Sequence, residues 1–300
     1  MPRIICAGLI AVDIVFEISS FPVKGTKNRA FNSQMITGGG ALNAASAIAS
    51  LGGEASLVGA IGDDEFGTFL CGKMSERQID DRHVSTIVGA TTSRSANLIT
   101  PDGDRTITNH RDTALIPDDL TLPTPFPFDA ALVDTRWPKG ALQITKAASD
   151  AGKPAVVDAE APVAEAVQAL AHASHVVFSQ QGLEDFCGAS DAEALHRAAK
   201  QLGNWCAVTQ GALPVLCHDG RQLTEVPAIS TLAVNTLGAG DFWHAAFTLA
   251  LAIGQSELDA VRWANAAASL KVSQPIQGEA LPTLVEVKAL LDSQSSHITR

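Results

Sequence analysis

Asp241 closes the segment Asn235-Thr236-Leu237-Gly238-Ala239-Gly240 and stands directly before the apolar run Phe242 to Ile253. The run recurs with helical spacing, and the glycines before it free the backbone to turn several N–H groups one way. A helix start has unpaired N–H groups and a partial positive charge, so this stretch predicts a cradle for an anion such as phosphate. The carboxylate at its mouth has two readings. It caps the helix, as Asp before an apolar run commonly does, or it takes a proton from a hydroxyl attacking a phosphoryl group.

A second glycine cluster, Thr37-Gly38-Gly39-Gly40-Ala41-Leu42-Asn43, opens an alanine-rich run that Gly52-Gly53 ends. Helical side chains lean toward the N-terminus, so Asn43 would point back at a ligand lying over Gly38 and Gly39; the alternative is a flexible turn with a capping Asn. Asp13 follows the first apolar run and reads as a surface strand residue. Lys27, Asn109 and Arg136 each read alone as surface or strand-end residues, Arg136 pairing with Asp134. Together, an ammonium, an amide and a guanidinium suit a tetrahedral oxyanion.

Elements to position these groups are legible. Arg3 to Ala7, Val12 to Ile18, Asn28 to Ile36 and Ser56 to Ala60 read as strands. Ser95 to Thr100 and Arg105 to Asn109 flank Pro101-Asp102-Gly103-Asp104, a hairpin signal. Pro117, Pro123, Pro125 and Pro127 mark an irregular connector. From Ala130 onward, short apolar runs at Ala130 to Val133, Ala155 to Asp158, His175 to Phe178 and Cys206 to Thr209 alternate with helical stretches, including Leu142 to Ala151 and Ala192 to Leu202. That alternation predicts a parallel sheet covered by helices, with ligands beyond the strand C-terminal ends. Arg262 to Lys271 reads as a helix and Gln274 to Leu281 as a loop.

Of 300 residues, 46% are hydrophobic and 18% charged, which describes a globular chain. A net charge of −11 argues against nucleic-acid or anionic-membrane partners. Five widely spaced cysteines read as buried thiols of a reducing compartment. Ile4 to Val12 reads as a strand rather than a leader, and no run reaches the length of a membrane span. A cytoplasmic enzyme is the expectation.

Thr236-Leu237-Gly238-Ala239-Gly240-Asp241 closely resembles the C-terminal signature of the ribokinase-like (PfkB) sugar kinases. Gly39 and Asn43 fall in a Gly-Gly-x-x-x-Asn run that resembles the N-terminal signature, and Gly62 to Gly67 is similar to a further family segment. The resemblance implies a three-layer α/β/α domain spanning 1–300, with a mostly parallel central sheet and a small β lid from about 12–36 and 93–112. It implies that the amides of Gly238, Ala239 and Gly240 hold the transferring phosphoryl group and that Asp241 is the catalytic base. Asp13, Gly38, Gly39 and Asn43 would bind sugar. Thr209 and Gly211 fall where the family has a nucleotide-phosphate loop, and Asn265 in the region beside the adenine, making these the ATP candidates. Two departures concern cations. Asn235 replaces an Asp tied to a monovalent cation, putting K⁺ activation in doubt. Ser179-Gln180-Gln181-Gly182 replaces an Asn-x-x-Glu that organises Mg²⁺, leaving Glu184, or phosphates and water, to hold it.

Lys27, Asn109 and the Asp134-Thr135-Arg136-Trp137 segment resemble the sulfofructose kinase branch, where Lys, Asn and Arg grip a sulfonate. The implied reaction is transfer of the ATP γ-phosphoryl to O1 of 6-deoxy-6-sulfofructose. Fructose, ribose, 2-keto-3-deoxygluconate and a ketose phosphate are alternatives, as is a non-catalytic protein that binds sugar or nucleotide. Apolar lid residues Ile14, Phe16 and Phe31 predict a homodimer through the lid.

Overall fold

The computed structural model describes residues 1–116, 122, 125–275 and 281–298. Pro117 and Pro123 of the expected connector, and most of the expected loop 274–281, lie outside the described residues.

The first strand, β1 (Arg3–Ala7), has alternating sides that explain the layering. Ile4 and Cys6 join one apolar cluster, and Ile5 and Ala7 join the other. A strand buried on both faces reads as a continuous apolar run, and helices must cover each side. Numbered in chain order, the strands are β2 (Ala11–Glu17), β3 (Asn32–Gly38), β4 (Glu54–Gly62), β5 (Asp80–Ile87), β6 (Ser93–Ile99), β7 (Arg105–His110), β8 (Ala130–Asp134), β9 (Ala155–Ala159), β10 (His175–Ser179), β11 (Trp205–Thr209), β12 (Val215–His218) and β13 (Leu223–Val226). The helices are α1 (Gly40–Ser50), α2 (Glu65–Glu76), α3 (Pro138–Asp150), α4 (Val167–His172), α5 (Gln180–Cys187), α6 (Ala192–Leu202), α7 (Ala239–Ala252), α8 (Glu257–Ser273) and α9 (Leu284–Ile298).

The main sheet has nine strands in the order β13-β12-β11-β10-β9-β8-β1-β4-β5. Its pairings are parallel except at the β12 and β13 edge. Helices α1, α7 and α8 contribute to one core, and α3, α4, α5 and α6 to the other. Chain order reverses between β1 and β8, where α/β sheets open a crevice at the strand C-terminal ends.

A second sheet, β3-β2-β6-β7, is antiparallel apart from the parallel pair β2 and β6. Its register aligns Ile36, Asp13, Ser95 and Asn109 in one row across four strands. Residues paired directly across a sheet share a face, so Asp13, Ser95 and Asn109 project the same way.

Some expectations shift. The strand read at Asn28 to Ile36 forms at Asn32–Gly38, because Gly38 continues its pairing to Ala11. β5, rich in charge, lacks an apolar alternation and is recognisable only through its pairing with β4. Short β12 and β13 likewise depend on the edge that β11 offers. Cys6, Cys206 and Cys217 are buried free thiols, but Cys71 is exposed on α2 and Cys187 is half-buried. No helix among the described residues is long and apolar enough to cross a membrane.

Candidate active site

The site lies where the β1 and β8 ends meet the starts of α1 and α7. Gly238 precedes α7 with φ 70°, a left-handed conformation that suits glycine, and Asp241 falls in the helix's first turn. Asp241 does not cap this helix, since no side-chain cap bond closes its start. Its Oδ2 instead accepts a hydrogen bond from Asn43 Nδ2 at 2.8 Å, joining the two glycine motifs across 198 residues of chain. Burial pushes the Asp241 pKa up to about 7, and an ionised Asp158 would push the same way. A carboxyl poised there can accept a hydroxyl proton near neutral pH.

Gly39 precedes α1 with φ 86°, and a Cβ there would stand 2.3 Å from Leu9 O. A Cβ on Gly38 would stand 2.5 Å from the Asp13 carboxyl, so both glycines allow close approach. Asp13 accepts from the Ser95 hydroxyl, and Asn97 Nδ2 donates to Ser95 Oγ at 2.8 Å. Burial raises the Asp13 pKa, against these hydrogen bonds. A half-buried, hydrogen-bonded carboxyl thus sits on the face of the four-stranded sheet next to the two glycines.

Asp134 ends β8 and is buried. It accepts from Leu9 N and Arg136 N, each at 2.8 Å, which clasps the β1 and β8 ends together. Arg136 donates to Ala161 O at 2.7 Å and to Glu160 Oε2 at 3.0 Å. The expected Arg136–Asp134 pairing is therefore made through Arg136's backbone, and the guanidinium turns to Glu160. Arg111, just beyond β7, lies in the same charged group. Burial lowers its pKa, and Arg136's positive charge lowers it further, against Asp134 and Glu160.

The sequence candidates do not all converge. Asp13, Gly38, Gly39, Asn43, Asp241 and the 238–240 loop come together, with Asn109 on the Asp13 row. Lys27 is exposed in the β2–β3 connection and makes no hydrogen bond or ion pair among the described residues. Thr209 ends β11, donating to Phe178 O at 3.4 Å, and Gly211 turns the chain with φ 63°. Asn265 is buried and occupied: its Oδ1 accepts from Trp243 Nε1 at 2.8 Å and its Nδ2 donates to Pro227 O at 2.9 Å. It braces α8 against α7.

Asn235 is buried and its Oδ1 accepts from Leu237 N at 2.9 Å, shaping the turn into the anion loop. It lines a pocket with Gly238 and Lys271. Among the described residues, no group of three or more His, Cys, Asp or Glu is arranged to hold a metal ion. Glu184 is exposed, and Ser179 caps α5 by accepting from Gly182 N.

The pfkB family carbohydrate kinase profile matches residues 1–284. The chain belongs to that family. This carbohydrate kinase is 26% identical to the ribokinase of Lactococcus lactis over 97% of each chain. It is also 26% identical to the Bacillus subtilis ribokinase, over 97% of this chain and all of that one. Among solved structures, a candidate ribokinase from Agrobacterium tumefaciens superimposes with a TM-score of 0.92 at 31% identity, covering 98% of this chain and 99% of that one. The kinase's ribokinase-like fold and its catalytic class agree with the resemblance read from the glycine motifs, and the non-catalytic reading is not retained.

Sequence reasoning passed over Arg111, Asp158 and His244. The first follows Asn109 by two residues and carries only a charge as its signal. The other two meet only in the fold.

Proposed function

We propose that this kinase transfers the γ-phosphoryl group of ATP to a primary hydroxyl of an anionic ketose, with O1 of 6-deoxy-6-sulfofructose as the preferred acceptor. The observation that carries the anionic choice is the pair of guanidinium groups on the Asn109 side of the site, the half-buried Arg136 at the end of β8 and the exposed Arg111 just beyond β7, whose charges act on each other. Glu160 balances Arg136 in the resting enzyme, and an anionic substrate group would supply a further counter-charge for the two. Lys27 joins them in this reading from the β2–β3 connection.

In the reaction, Asp13 and Asn43 orient the sugar hydroxyls over Gly38 and Gly39. Asp241 accepts the proton of the attacking hydroxyl, and the amides of Gly238, Ala239 and Gly240 receive the moving phosphoryl group. Thr209 and Gly211 hold the nucleotide's phosphates. Mg²⁺ would accompany those phosphates and offset their charge; the described side chains form no ligand set for it, so no step is routed through it. A monovalent-cation requirement is not part of this reading, because Asn235 is neutral and the half-buried Lys271 ammonium lines its pocket. The lid also offers a surface to a second copy: Phe31 and Met35 are 62% and 41% exposed, whereas Ile14 and Phe16 are half-buried.

The test is ADP release with MgATP and a panel of 6-deoxy-6-sulfofructose, fructose 6-phosphate, fructose, ribose and 2-keto-3-deoxygluconate. The highest kcat/KM is expected for the sulfosugar. Preference for fructose or ribose would discard the anion site and keep the kinase, a result in keeping with the ribokinases it is similar to.

A further inference from the structure

Behind Asp241, a second pair of titratable side chains is enclosed by the same elements. His244 follows Asp241 by three residues on α7 and is buried. Its Nδ1 lies 2.7 Å from Gly240 O. A carbonyl only accepts, so Nδ1 carries hydrogen. Its Nε2 lies 3.5 Å from Asp158 Oδ1 and 3.4 Å from Val177 O. A bare Nε2 would set lone pairs against two oxygens in a buried place, a costly arrangement. A proton between Nε2 and Asp158 removes that conflict. Written on the ring or on the acid, it leaves the pair with no net charge.

Asp134, Asp158, Asp241 and His244 line one small cavity, with Gly40, Ala41 and Ala44 of α1 completing part of its wall. The charged groups facing it are few. Asp134 and Arg136 come from the end of β8, Glu160 from beyond β9, and Arg111 from beyond β7. α1 supplies only the neutral Asn43, and β10 only the Val177 carbonyl. Two ionised carboxylates at Asp158 and Asp241 would repel each other here.

We propose that Asp158 and His244 form a one-proton couple behind the base, which keeps this cavity from holding two negative charges and ties the first turn of α7 to β9. They are positioning residues: His244 holds Gly240 O, and the couple acts on the sugar only through Asp241. Burial raises the Asp158 pKa well above the usual carboxylate range and lowers that of His244, so the proton belongs mainly to the acid. The inference rests on Asp241 being the base of the proposed reaction.

Two measurements test it. The first is the pH profile of kcat/KM. In Asp158→Asn a neutral amide replaces a side chain whose pair with His244 carries no net charge, so the acid limb should stay in place. An ionised Asp158 facing Asp241 would, on removal, give a limb about one pH unit lower. A limb that moves down in Asp158→Asn overturns the couple.

The second measurement needs no sugar: ¹H–¹⁵N spectra of the His244 ring in the resting enzyme. Nδ1 should be protonated, and Nε2 should be displaced from its bare-nitrogen position in the wild type and return to it in Asp158→Asn. An Nε2 resonance indifferent to Asp158→Asn overturns the couple, whereas failure of every sugar in the panel with this shift intact would count against the substrate reading alone.

Discussion

Asp241 has a cost in stability that follows from its use. Its pKa rises from 3.8 to about 7 in the folded protein, chiefly through burial. Between those values the native state binds more protons at this residue than the unfolded chain does, so its contribution to stability falls as pH rises through that window. Asp241→Asn should therefore stabilise the fold near and above neutral pH by on the order of 4 kcal/mol, read as a higher melting temperature, with the gain vanishing in acid. The same variant should lower kcat by about 10²–10⁴-fold while nucleotide binding, followed by calorimetry, changes little. Near-normal turnover would remove Asp241 from the base role. In the wild type, kcat/KM should fall as pH drops below about 7, where Asp241 gains its proton.

Helix starts set the site, and the turn before each is decided by glycine. Gly39→Ala places a methyl 2.3 Å from Leu9 O in a backbone with φ 86°. The variant should lose about 2 kcal/mol or more in thermal unfolding and bind sugar poorly, since β3 and α1 would have to separate from the β1 end. The anion end is built differently, from strand ends: Arg136 follows β8 and Arg111 follows β7. Arg136→Ala and Arg111→Ala should each raise KM for the sulfosugar at least about tenfold and leave KM for fructose nearly unchanged, the signature of a lost charge-assisted contact. An unchanged KM for the anionic sugar would leave these arginines to Glu160 and to solvent.

Across the molecule, the four-stranded sheet reaches the phosphoryl end of the site through β7. Arg105 on β7 donates to Thr236 Oγ1 at 3.1 Å, just before the anion loop. Lids that close over a site exclude water from it. Arg105→Ala should thus raise sugar-independent ATP hydrolysis relative to sugar phosphorylation, which a paired ADP and product assay reads directly. Phe31→Glu at the exposed lid edge should weaken self-association measured by sedimentation, if the second copy sits there.

The sequence by itself determined the class of fold and the kinase signature, because apolar periodicity and glycine placement are local properties. Ala192 to Leu202 formed as a helix with the boundaries expected, and Gly238 to Asp241 formed the helix start. Tertiary structure decided whatever depends on distant parts of the chain meeting. Asn43 reaches Asp241 only because α1 and α7 start side by side, and Asn265 braces α8 on α7 because Trp243 and Pro227 claim its amide. The burial that lifts Asp241, and the approach of His244 on α7 to Asp158 on β9, have no local signal at all. Spacing along a chain constrains neighbours within a few residues, whereas desolvation and charge coupling follow distances that packing alone sets.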